Sequence, residues 1–95
     1  MVAIVSALEI YPDRQRDWHE LWRQVQAEHS AAQGFRAARL FHDVDQPERY
    51  VILEEWEDRH DFNRFARQAG VPWLLEEWEL GPPPPLGLMV VQEEA

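Results

Sequence analysis

The pattern of apolar residues predicts an α+β domain in the order strand–helix–strand–strand–helix–strand. Three observations carry the prediction. Four short segments read as strands, two in rows of period two and two apolar on both faces; apolar residues recur at three- and four-residue steps in two others; and the periods change at Pro, Gly or Asp. At 95 residues the chain has room for one hydrophobic core, so residues 1–95 are read as a single domain.

The first strand is expected over Val2–Ile10. Val2, Ile4, Leu8 and Ile10 share one row with Ser6 as its polar member, and Ala3, Val5 and Ala7 share the other, so both faces should be covered. Tyr11-Pro12-Asp13 ends it, with Asp13 placed to cap a helix. That helix is expected over Arg14–Ala32, with Trp18, Leu21, Trp22, Val25 and His29 or Ala32 along one stripe. Gly34 closes it.

Phe35–Asp43 and Arg49–Trp56 read as the arms of a hairpin around a polar turn at Asp43–Glu48. On strict alternation Phe35, Ala37, Arg39 and Phe41 share one face of the first arm, and Tyr50, Ile52, Glu54 and Trp56 share one face of the second. Asp58, with Asp61 three residues on, opens the second helix as a carboxylate capping box. Phe62, Phe65, Ala66 and Ala69 form its stripe, and Gly70 ends it. A short extra helix is expected over Trp73–Leu80, a stiff connector over Pro82–Pro85 and a last strand over Leu86–Gln92.

Two β-α-β halves in this order make a ferredoxin-like fold, an antiparallel four-stranded sheet with both helices on one face. The other face is then bare, yet the first and last strands are apolar on both sides. A patch of that kind is not left in water. A second copy is expected to cover it, giving a two-fold homodimer.

Composition removes several classes of function. Net charge is −9 and the isoelectric point about 4.7, so phosphate backbones and anionic lipid are repelled and neither nucleic acid nor membrane is an expected partner. No apolar run approaches the roughly 20 residues that cross a bilayer. The first residues lack the basic flank of a secretory signal, and a cytoplasmic location is expected. The chain has no cysteine, hence no disulfide, thiolate ligand or thiol nucleophile. His19, His29, His42 and His60 include no ligand-spaced pair, and no metal or other cofactor is expected.

Several short motifs, in order, point to a family. They are Gly34-Phe35 entering the second strand, the acidic turn with Pro47-Glu48-Arg49-Tyr50, and Leu53-Glu54-Glu55-Trp56-Glu57-Asp58 followed by Phe62 and Phe65. Over nearly the whole chain the sequence resembles the antibiotic biosynthesis monooxygenase family of the dimeric α/β-barrel superfamily. The resemblance implies a homodimer of paired sheets with an apolar pocket between sheet and helices in each subunit. It also implies one of three activities: oxygenation of phenols, anthrones or quinols without metal or flavin, haem degradation, or none. Haem-degrading members place an Asn, an aromatic and an iron-binding His where this chain has Ser6, Phe65 and a position near Leu75; no His follows His60. Iron would lack its axial ligand, and haem degradation is not expected.

Cofactor-free oxygenation asks little of a protein: an apolar slot, a base and exclusion of water, so that a deprotonated aromatic can itself reduce oxygen. Eleven aromatic residues supply slot material, and Trp56, Phe41, Phe62, Phe65 and Trp73 are the expected lining, with Ser6 and Asn63 to orient a polar group. His42 and His60 are candidate bases, since imidazole titrates near neutrality. Arg39 and Glu54 interrupt apolar strand rows; Arg39 would steady an oxyanion and Glu54 accept a proton. The plainer alternative pairs these two across the hairpin or the dimer interface. The functional expectation is therefore a monooxygenase-like protein acting on an aromatic or quinol-like small molecule. The rivals are a non-catalytic ligand-binding or stress-related module and a purely structural partner. A cavity with Arg39, Glu54, His42 or His60 turned inward favours chemistry; one filled by tryptophans favours structure.

Overall fold

The computed structural model describes residues 1–69, 79–82 and 89–93. Its elements are β1 (Val2–Glu9), a 3-10 turn (Pro12–Arg14), α1 (Gln15–Ala31), β2 (Phe35–His42), β3 (Arg49–Trp56), α2 (Arg59–Ala69) and β4 (Met89–Glu93). The fold is ferredoxin-like α+β. β1 pairs antiparallel with β3 and β3 with β2, and β4 runs antiparallel along the other edge of β1, giving the order β2-β3-β1-β4. The expected helix at Trp73–Leu80 and the start of the last strand lie largely outside the described residues.

β3 follows its sequence pattern residue for residue. Tyr50, Ile52, Glu54 and Trp56 are buried under the helices, while Val51, Leu53 and Glu55 on the other face are half-buried. β1 does the same: Val2, Ile4 and Leu8 are buried, and Ala3, Val5 and Ala7 half-buried. Ile10 is buried but has left the strand, its N–H donating to the Glu48 carbonyl at 2.8 Å. From α1 the whole stripe Trp18, Leu21, Trp22, Val25 and His29 is buried. α2 contributes Phe62 and Phe65, both against Trp56. The two helices thus share one face of the sheet.

Four expectations need correction. Asp13 does not cap α1. It sits inside the 3-10 turn, no side chain caps the helix, and Gln15 instead donates from Nε2 to the Ile10 carbonyl at 3.1 Å. Pro12 sets the helical φ early, so winding begins before Asp13 can act as a cap. Asp43 is not the last residue of the second strand; its carboxylate accepts the N–H groups of Asp45 and Gln46 at 2.8 and 3.1 Å and builds the turn. The last strand runs one residue further, to Glu93.

The fourth correction concerns a face. Phe35 opposes Trp56, yet Ala37 opposes Glu55, so the register slips by one at Arg36. This β-bulge reverses the parity of what precedes it. Phe35 consequently does not share a face with Ala37, Arg39 and Phe41; it packs on the core with Ala38 and Leu40.

The junction of α1 and β2 depends on Gly34. Its φ of +82° is left-handed, and a Cβ there would lie 2.1 Å from Oδ2 of Asp61. Asp58 accepts the Asp61 N–H at 3.0 Å, one half of the expected capping box, and the Asp61 side chain then lies buried over the Gly34 backbone.

Candidate active site

Glu54 is the only charged residue of the buried β3 row. Its neighbours in the sheet are Ile4 on β1 and Ala38 on β2, neither with a polar side chain. Its carboxylate is therefore satisfied from above. His29, one turn beyond Val25 on the α1 stripe, places Nε2 2.5 Å from Oε1 of Glu54. The histidine is 2% exposed and the glutamate 8%.

Aromatic rings enclose the imidazole. Phe35 stacks on it at 4.8 Å and 19°, and Phe65 at 4.5 Å and 11°. Trp22 and Trp56 lie at 6.0 and 5.9 Å, at steeper angles. The bulge at Arg36 brings Phe35 into this cage; without it the ring would point to the other side of the sheet. Such surroundings strengthen a hydrogen bond by lowering the local dielectric and make it costly to break. A carboxylate only accepts, so the hydrogen of this bond is on Nε2, and a ring with that single hydrogen has its lone pair on Nδ1. The arrangement is that of a base and its orienting carboxylate.

The other site candidates are dispersed. Trp56, Phe62 and Phe65 join Glu54 in the core. Arg39 and Phe41 oppose Leu53 and Val51 on the helix-free face, Arg39 exposed and Phe41 49% exposed. His42 faces the helix side but lies at the far end of β2, exposed, stacked on Tyr50 at 4.4 Å with Nε2 2.5 Å from the Pro47 carbonyl. His60 and Asn63 are exposed on α2. Ser6 is half-buried opposite Ile52. Trp73 lies outside the described residues. No group of three or more His, Cys, Asp or Glu side chains suited to a metal ion occurs among the described residues.

His29 was missed as a functional residue, though its signal is present. It is the one polar member of the α1 stripe, as Glu54 is the one charged member of the β3 row, and two such interruptions on facing surfaces satisfy each other. A concavity of about 260 Å³ lies nearby between the end of α1 and α2, lined by Glu28, Ala31, Ala32, Gln33, Asp61, Arg64 and Phe65. No helix among the described residues is long and apolar enough to cross a membrane.

The sequence profile of antibiotic biosynthesis monooxygenases matches residues 1–71, from β1 through α2 and across every residue of the histidine–glutamate cage. The chain belongs to that family. No curated protein matches it in sequence. Solved structures do match in fold. An antibiotic biosynthesis monooxygenase superposes with a TM-score of 0.80 at 19% identity, over 100% of this chain and 99% of the other. A conserved protein of Methanosarcina mazei gives 0.79 at 14%, over 99% and 92%. SnoaB, a cofactor-independent oxygenase from Streptomyces nogalater, gives 0.77 at 17%, over 99% and 92%. At these identities the likeness to other family members is one of fold.

Proposed function

We propose that this family member oxygenates a hydroxylated aromatic or quinol-like small molecule without a cofactor, with Glu54 as the terminal proton acceptor. The observation that carries the reading is the buried carboxylate: it sits among aromatic rings on the sheet face that the helices cover, hydrogen-bonded to an imidazole and, among the described residues, to no cation of fixed charge. For an anthrone-type methylene the chemistry balances simply. The carbon acid loses a proton, the resulting anion passes one electron to O₂, and the radical pair joins as a peroxide. Loss of water then leaves a carbonyl, so one oxygen atom enters the product and the other departs as water. The protein supplies proton removal and a dry slot. Exposed His42, His60 and Asn63 have no part in this reading.

The test is oxygen uptake with a panel of quinols and anthrones. Glu54→Gln, which keeps the shape but not the basicity, should lower turnover by about 10²-fold or more, the usual range for a general base. His42→Ala and His60→Ala should stay within about twofold of wild type. No uptake above background on any substrate would remove the oxygenase reading. The rival, a purely structural role, draws on the complete burial of Trp18 and Trp56.

We also propose that a second copy covers the helix-free face, where Ala3, Val5, Ala7, Val51 and Leu53 are only half-buried and Phe41 is 49% exposed. Arg39, beside Phe41, is then an interface residue. Light scattering should show a dimer that Leu53→Asp converts to monomer; a wild-type monomer at micromolar concentration would refute the pairing.

A further inference from the structure

Three buried ring nitrogens have no hydrogen-bond partner among the described residues: Nε1 of Trp18, Nε1 of Trp56 and Nδ1 of His29. Folded proteins leave few buried polar atoms in that condition, and those left commonly await a water or a ligand. Two of the three are on adjacent rings, since His29 and Trp56 lie 5.9 Å apart and tilted by 58°. Their chemistry is complementary. With its single hydrogen on Nε2 directed at Glu54, the His29 ring offers Nδ1 as an acceptor, whereas an indole Nε1–H only donates. An acceptor beside a donor suits one group in particular, a hydroxyl, which gives its hydrogen to the first and receives from the second.

Phe65 packs against both rings of this pair. One side of the ring stacks on His29 at 4.5 Å, and the ring also lines the concavity of about 260 Å³ between α1 and α2. Ligand pockets usually hold about 300–1,000 Å³. The concavity alone falls just short, and the volume that Phe65 would vacate by turning aside brings it into that range. The space so opened would be walled by His29, Phe35 and Trp56, a set of rings on which a flat aromatic molecule stacks as Phe65 now does.

We propose that Phe65 closes a latent binding site for a hydroxylated aromatic molecule, whose ring replaces that of Phe65 against His29 and whose hydroxyl bridges Nδ1 of His29 and Nε1 of Trp56. The site deepens the oxygenase reading and rests on it for the ligand class. In turnover, the hydroxyl O–H bond would break as the Nδ1–H bond forms, and the hydrogen on Nε2 would pass to Glu54, which ends as the proton acceptor. Binding itself requires no turnover. A hydrocarbon of the same shape would leave both nitrogens unpaired and should bind at least about tenfold more weakly.

The experiment uses the full chain without oxygen and two probes, 1-naphthol and naphthalene, with ¹⁵N resonances of the histidine and indole nitrogens assigned. The free protein should show His29 protonated on Nε2 alone. 1-Naphthol should shift His29 Nδ1 and the Trp56 indole N–H together and bind about tenfold or more tightly than naphthalene. His29→Phe should abolish that preference while still binding naphthalene, and Phe65→Ala should tighten both probes. Trp56→Phe, which removes only the donor, makes the same test should His29→Phe fail to fold. Equal binding of the two probes to wild type, shifts confined to other residues, or no binding of 1-naphthol even to Phe65→Ala would each overturn the site. Binding as described, with no oxygen uptake in air, would leave the site standing and remove the oxygenase reading. Uptake with no response at His29 and Trp56 would do the reverse.

Discussion

Two histidines at opposite ends of the sheet make nearly the same contacts and live in different worlds. His42 stacks flat on Tyr50, and its Nε2 is 2.5 Å from a backbone carbonyl of the turn. His29 stacks between Phe35 and Phe65, and its Nε2 is 2.5 Å from a carboxylate. His42 is exposed and His29 is 2% exposed. At the surface, water replaces whatever partner is lost. In the core, the partner left behind has no substitute, so the same contact becomes an obligation. The lesson is that solvent, not the list of contacts, separates a histidine that ornaments a turn from one around which a site is built.

The largest break in this comparison should come from truncating each ring in turn. His29→Ala leaves Glu54 buried without its partner and should cost about 3 kcal/mol or more, read as a lower urea midpoint. His42→Ala should leave the midpoint where it was. Equal effects of the two substitutions would show that burial does not distinguish them. A sharper form replaces both members of the buried pair, as His29→Leu with Glu54→Leu. Removing donor and acceptor together should recover most of the loss from His29→Ala, because no polar group is then stranded.

A smaller effect is expected from Gly34→Ala, which attacks the buried end through its backbone. The left-handed φ alone costs a non-glycine residue about 1–2 kcal/mol. The new Cβ must also displace the Asp61 carboxylate 2.1 Å away, so the loss should exceed the backbone figure. Asp61→Ala in the same chain should return part of it in urea unfolding; no recovery would mean that the close approach is immaterial.

The smallest effect lies at the exposed end. Burial pushes the Tyr50 phenol above its ordinary value of 10.0. Above pH 10 the unfolded chain therefore releases this proton before the folded one does, and stability falls as pH rises toward the folded value. Below pH 10 the term is constant. Comparing urea midpoints at pH 9 and pH 11, wild type should lose more than Tyr50→Phe, whose ring cannot ionise. The Tyr50 hydroxyl also donates to Oε1 of Gln15 at the start of α1, so Tyr50→Phe should itself lower the midpoint slightly at pH 9.

Much of the fold can be read from local pattern, because local pattern is what determines it. β3 alternates without a break, and the strand forms with the expected bounds and the expected inner row. The α1 stripe at Trp18, Leu21, Trp22, Val25 and His29 follows from 3.6 residues per turn. Gly34, the Asp43 turn and Asp58 mark boundaries through their own backbone and side-chain chemistry. Where one element competes with its neighbour over a boundary, as Pro12 does with Asp13, the same reasoning goes astray by a residue or two.

The site obeys different rules. Its two polar members are 25 residues apart, on elements whose meeting depends on the packing of a helix over a sheet. One bulge at Arg36 turns Phe35 into the cage, while Arg39 and Phe41 keep to the helix-free face, and nothing in the local alternation announces a slip of one residue. The sequence alone determined which side chains are apolar, where the period changes and that His29 and Glu54 interrupt their rows. Only the tertiary structure decided that these two interruptions face each other, because a buried polar group is settled by its nearest neighbour in space, and that neighbour comes from a different part of the chain.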